Sequence, residues 1–228
     1  MKHFNKVTCF LIITFCLSCN NEKNQIKQES VILKDILFEI VTDKQFYPLT
    51  PPPPATPSVE VKFKDGTTLK TRNDLYTLEY EKFIEKLDTD RFVIGIEDST
   101  ISIKNSGLIS ERLKESGYAD LIDLLNSKDF KTQIPIDTSQ IKKIDKYEII
   151  IRSKVFPKGF NFREYKGFDL TYYFYGNVSF SRAFIRASGD YGFMIYRREC
   201  GFECDQDYIL IIKRLKDKWK IINKIYAR

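Results

Sequence analysis

Glu97 and Asp98 stand side by side just past the apolar run Arg91 to Ile96. Two carboxylates flanking a cleft can hydrolyse a glycosidic bond, one as acid and one as base or nucleophile. Asp88 and Asp90 form the next such pair. Both pairs are also common loop and cap residues, so solvated surface is the competing reading. The sole histidine, His3, lies in a stretch read below as a removable signal. Without it the chain has no Ser-His-Asp or Cys-His nucleophile system and no histidine-bearing zinc site. Neither GxxxxGK[ST] nor GxGxxG occurs, so nucleotide and hydride chemistry have no support. No cofactor and no metal are expected.

Cys200-Gly201-Phe202-Glu203-Cys204 has one residue too many for a thioredoxin-like C-x-x-C, which also needs a helix N-terminus to lower the thiol pKa. A disulfide needs Cα atoms within roughly 4.4–6.8 Å, whereas four extended residues span about 13 Å. The loop must double back, and Gly201 permits it. A structural Cys200–Cys204 disulfide is expected, with a labile redox switch and free thiols as the alternatives. Glu199, Glu203, Asp205 and Asp207 gather at the same place. Their spacing matches no calcium loop, and pairing with Arg197, Arg198 or Lys213 is the expected use.

A third candidate is a sheet face. With Ser188-Gly189-Asp190 as a three-residue loop, Ala183 faces Ile195, Ile185 faces Phe193, Phe180 faces Arg198 and Arg182 faces Tyr196. A two-residue loop instead sets Arg182 against Arg197, which costs energy unless an anion lies between them. The first register places Phe180, Arg182, Phe184, Arg186, Tyr196 and Arg198 on one aromatic and cationic face, suited to an anionic or sugar-like ligand. The competing reading buries that face under a helix, with arginine stems packed and their heads paired.

The elements that position these residues follow from periodicity. Val178 to Ala227 reads as four apolar, aromatic-rich runs cut by three polar breaks, the pattern of an antiparallel meander. Ser30 is placed to cap a helix over Val31 to Thr42, where Ile32, Leu33, Ile36, Leu37, Ile40 and Val41 share one stripe. Pro48 to Pro57 favours polyproline II, and Asp65-Gly66 marks a hairpin turn. Asn73 or Asp74 begins a helix reaching Leu87, and Ser106 to Gly117 and Tyr118 to Asn126 form two more. Arg91 to Ile96, Thr100 to Ile103, Tyr147 to Arg152 and Phe168 to Tyr175 read as strands. No strand and helix alternation demands a parallel sheet, so the expected class is α+β, an antiparallel C-terminal meander packed with helices contributed mainly by the N-terminal half.

The N-terminus reads as an address. Lys2 and Lys6 precede eleven residues, Val7 to Leu17, dominated by apolar side chains, too short for a hydrocarbon core that needs about 20. Leu17-Ser18-Cys19, followed by the polar NNEKNQIKQE, resembles the lipobox of bacterial lipoproteins, with Cys16 where an aliphatic residue is usual. That resemblance implies cleavage before Cys19, a diacylglyceryl group on its thiol and acylation of the new amine. Asn20, rather than Asp, leans towards the outer membrane. Cys9, Cys16 and His3 leave with the signal, and Cys200 and Cys204 remain in an oxidising compartment.

The expected layout is a signal at 1–18, a polar tether at 19–29 and one domain at 30–228. Thirty-seven basic and 31 acidic residues give +6, and loss of Lys2 and Lys6 leaves +4. Asn20 to Ile141 carries 16 basic and 21 acidic residues, and Lys142 to Arg228 carries 19 and 10. This balance does not argue for nucleic acid, although the basic half suits an anionic surface. Phe180-Ser181-Arg182, Tyr191 to Tyr196, Cys200-Gly201-x-x-Cys204, Tyr208 to Ile212, Lys213 and Lys218-Trp219-Lys220-Ile221 together resemble the tail of uncharacterised Gram-negative lipoproteins. Those commonly have Gly before the tryptophan, where Asp217-Lys218 stands here. The family supplies no activity to carry over. The leading expectation is a non-catalytic binding or interaction module of the envelope, taking an anionic or glycan ligand or an envelope protein. A glycan hydrolase and a purely structural factor are the alternatives.

Overall fold

The computed structural model describes residues 26–42, 61–62, 68–69, 81–127, 132–139, 141–157, 160, 171–199 and 206–227. The signal segment, Cys19, the proline-rich stretch, Asp65-Gly66 and both Cys200 and Cys204 lie outside these residues, as does most of the helix expected to end at Leu87.

Helix α1 covers 26–42 and α2 covers 81–86. Between them β1 (Val61–Lys62) pairs with β2 (Thr68–Leu69). Strand β3 (Asp88–Ile96) is followed by α3 (Ser106–Glu115), a 3-10 helix at Ala119–Asn126, β4 (Lys143–Ile144), β5 (Tyr147–Ile151) and the single turn α4 (Arg152–Val155). Then come β6 (Tyr172–Phe180), β7 (Phe184–Ile185), β8 (Tyr191–Glu199), β9 (Gln206–Leu215) and β10 (Lys218–Tyr226). The main sheet has eight strands in the order β10-β9-β8-β6-β3-β5-β4, with β7 beside β8. The architecture is mixed α and β, dominated by this sheet and compatible with α+β.

The sheet is not antiparallel throughout. Strand β3 runs parallel to both β5 and β6, against the expectation that nothing demanded parallel pairing. The crossover that parallel neighbours need is the segment 97–142, which holds α3 and the 3-10 helix.

Local chemistry ends these elements where it should. Asn105 caps α3 by accepting the Leu108 N–H at 3.1 Å. Its far end closes as a Schellman motif: Tyr118 N–H reaches Leu113 O at 2.8 Å and Gly117 N–H reaches Lys114 O at 3.2 Å. Gly117 supplies the required left-handed backbone, φ 83°. Ser30, expected as a cap, instead sits inside α1, where its hydroxyl donates to Ile26 O at 2.9 Å. The helix therefore includes 26–29, part of the stretch read as tether. Tyr118–Asn126 is a 3-10 rather than an α-helix, and Thr100 to Ile103 forms no strand. Arg152 leaves β5 to begin α4.

Two apolar layers flank the sheet. On one face Ile36, Leu37 and Ile40 of α1 are fully buried with Ile94, Ile96, Tyr175, Phe180, Met194, Tyr196, Leu210 and Trp219. On the other, Ile109, Leu113 and Leu121 pack with Phe184, Phe193, Ile195, Ile209, Ile211 and Ile225. Helix α1 also guards the sheet edge. Asp35 accepts the Trp219 N–H of edge strand β10 at 3.0 Å, and Glu39 pairs with Lys220. These contacts cover the start of that edge, where an unpaired backbone donor could otherwise recruit a foreign strand.

Tyrosines make this core sensitive to alkali. Burial pushes the Tyr196 hydroxyl well above the usual phenol range, with Tyr175 beside it adding to the effect. Burial likewise raises Tyr147, Tyr172 and Tyr191. Unfolded phenols ionise near about 10, so this contribution is intact below that pH and is lost as pH rises through the raised folded values. The Tm should hold level up to about pH 10 and fall above it. A Tm that rises there would contradict the buried placement of these hydroxyls.

Candidate functional site

The expected ligand face is broken by a dislocation at Ser181–Ala183. Ahead of it Phe180 pairs with Tyr196 and Val178 with Arg198; beyond it Phe184 pairs with Phe193 and Ile185 with Gly192. Neither expected register occurs, because Ser181 replaces part of the ladder with its side chain. Its N–H donates to Ile195 O at 2.9 Å, while its Oγ accepts the Ile195 N–H at 2.8 Å. The next free backbone donor, Ala183 N–H, turns to the Glu29 carboxylate at 3.3 Å. The one-residue slip moves Phe184 to the opposite face, where its ring stacks on Phe193 with centroids 5.1 Å apart.

Phe180 and Tyr196 stay on the α1 side, fully buried, their rings 5.4 Å apart. Arg182 is 4% exposed, and its Nε donates to Glu29 Oε1 at 2.8 Å. Arg198 is 5% exposed. Its guanidinium lies 4.1 Å from the Tyr175 ring centroid and donates to Tyr175 O at 2.8 and 3.2 Å. Arg186 alone of the six is exposed, paired with Asp120 at 2.6 Å. Five of the six residues are thus covered, and the two buried arginines hold partners from within the chain.

The two acids of the pair hold different partners. Glu97 accepts Asn177 Nδ2 at 2.7 Å and lies 3.4 Å from Arg152 Nε, while Asp98 accepts the Ser153 hydroxyl at 2.7 Å. Arg152 also donates to Phe160 O at 3.1 Å. This polar patch sits where parallel strands β3 and β5 end, the usual place for sites in parallel sheets. Asn177 is 1% exposed, and its Oδ1 has no hydrogen-bond partner among the described residues. Gly95 makes room for it, since a Cβ there would lie 2.9 Å from that oxygen. Orienting Nδ2 towards Glu97 leaves Oδ1 no choice but to face Gly95. Asn177 and Arg152 escape sequence reasoning; the signal available was a Gly-Asn pair inside the aromatic strand YYFYGNVSF.

At the far end of β8, Arg197 and Asp207 are cross-strand neighbours paired at 2.8 Å. No cluster of three or more metal-ligating side chains occurs among the described residues. No helix among them is long and apolar enough to cross a membrane. The chain matches no family model, no curated protein and no solved structure.

Proposed function

We propose that this chain is a cell-envelope protein anchored in the outer membrane by lipid on Cys19, working there as a non-catalytic interaction module. The observation that carries the non-catalytic part is internal pairing. Arg182 is held by Glu29, Arg198 by Tyr175 and Glu97 by Asn177 and Arg152, so groups that could grip a ligand or move a proton hold the fold instead. Glu97 and Asp98 serve different partners, which weighs against a paired-carboxylate glycan hydrolase. The closed faces of the sheet favour, as second reading, a purely structural envelope factor.

In this reading the helical N-terminal half packs on the C-terminal meander as a scaffold, supported by the buried stripe of α1. The lipobox-like Leu17-Ser18-Cys19 and the resemblance of the tail to Gram-negative lipoproteins support the envelope address. Cell fractionation tests it: wild-type protein should pellet with membranes, and Cys19→Ser should appear in the soluble periplasm. A processed Cys19→Ser protein that stays in the membrane would refute the anchor.

A further inference from the structure

The β9–β10 hairpin carries an unusual surface. Lys213, Arg214, Lys216 and Lys218 are all exposed and make no ion pair among the described residues. The acids near them are Asp217 in the turn, Asp190, whose carbonyl accepts the Arg214 N–H at 2.7 Å, and Asp35, whose carboxylate is engaged by the Trp219 N–H. Set among these cations are two exposed aliphatic side chains, Leu215 at 49% and Ile222 at 44%. Leu215 flanks the turn, opposite Lys218. Ile222 is the extra residue of a bulge between Ile221 and Asn223, and bulges re-aim side chains. Between this hairpin and the 187–190 turn lies a shallow cleft of about 680 Å³, bounded by Arg186, Tyr191, Lys213 and Ile222.

A soluble anion would account for the cations but not for the exposed Leu215 and Ile222. An interface with both a negative layer and an apolar layer accounts for both, and that is a bilayer containing anionic lipid. We propose that the β9–β10 hairpin docks on an anionic lipid surface, with Leu215 and Ile222 entering the headgroup boundary and the four cations meeting phosphates. The orientation rests on the anchored reading of Cys19. Asp35, beside Trp219 at the start of β10, lies about 13.5 Å along α1 from Ile26. The seven residues back to Cys19 can reach up to about 24 Å, enough for lipid and hairpin to meet one bilayer together.

The test uses full-length mature protein with vesicles of phosphatidylcholine alone or mixed with phosphatidylglycerol, carrying brominated acyl chains. Leu215→Trp adds a reporter beside the single native tryptophan, Trp219, which is buried and serves as the unquenched control. Quenching of the added tryptophan should be severalfold stronger with phosphatidylglycerol and should vanish at high salt. The K213E/R214E/K216E/K218E background should abolish it. In the unsubstituted protein, phosphatidylglycerol should slow amide exchange across 213–218, a readout independent of the tryptophan. Association with phosphatidylcholine vesicles reads the Cys19 anchor separately. Anchored protein whose hairpin shows neither lipid-dependent quenching nor slowed exchange would overturn the proposal, as would quenching unaffected by charge reversal. Capture of the hairpin by an acidic protein with no response to phosphatidylglycerol would overturn it too.

Discussion

Gly192→Ala should destabilise the protein by about 3 kcal/mol or more, at the upper end of what overpacking costs. The reason is a backbone collision. A Cβ on Gly192 would lie 1.9 Å from Phe184 O, 2.8 Å from Phe184 C and 2.9 Å from Ile185 Cα. No rotamer change relieves a clash with main chain, so β7 must leave β8. Departure of β7 also breaks the Phe184–Phe193 stack and uncovers the layer beneath α3. Gly189→Ala is the control: Gly189 has φ 78° but open space around it, so it should cost only about 1 kcal/mol of backbone strain. Urea titration of both variants measures the contrast, and equal midpoints would contradict the observed β7–β8 approach.

Glu29→Ala should cost about 1.5–3 kcal/mol, the worth of a hydrogen bond made between charged groups. Glu29 does two jobs, accepting from Arg182 Nε and from the Ala183 N–H. Removing it takes away the acceptor of both bonds, one from a guanidinium that is 4% exposed and one from a backbone donor at the dislocation. Glu29→Gln should cost less, because a carbonyl oxygen remains to accept one bond. Replacing both partners, Glu29→Leu with Arg182→Met, should recover most of the loss, since an apolar pair of similar volume avoids desolvating the charges. A double-mutant cycle by chemical denaturation measures this; additive losses would show that the two side chains do not depend on each other.

These two sites also mark where sequence reading stops. The stripe of α1 and the β8–β9–β10 meander were legible because each is a local period, 3.6 or 2 residues, written into consecutive positions. The parallel placement of β3 was not, because pairing between distant strands is decided by crossovers rather than by period. The register at Ser181 failed for a different reason: a hydroxyl stands in for a ladder group, and nothing in residue type distinguishes that serine from a solvent-facing one. Residue type alone leaves Arg182 and Arg198 open to two readings, ligand-gripping or the commoner one of packed stems with paired heads. The decision lay with Glu29, 153 positions from Arg182, in a stretch that looked like tether. Asn177 looked like one polar residue on a strand until Gly95 was seen against its side chain.

The anchored envelope reading stands on the N-terminus, and the intact mass of protein extracted from native membranes tests it most directly. The account predicts a chain beginning at Cys19 whose mass exceeds that of the unmodified chain by a diacylglyceryl group and an amide-linked acyl chain. An unmodified mass, or a first residue other than Cys19, would contradict it.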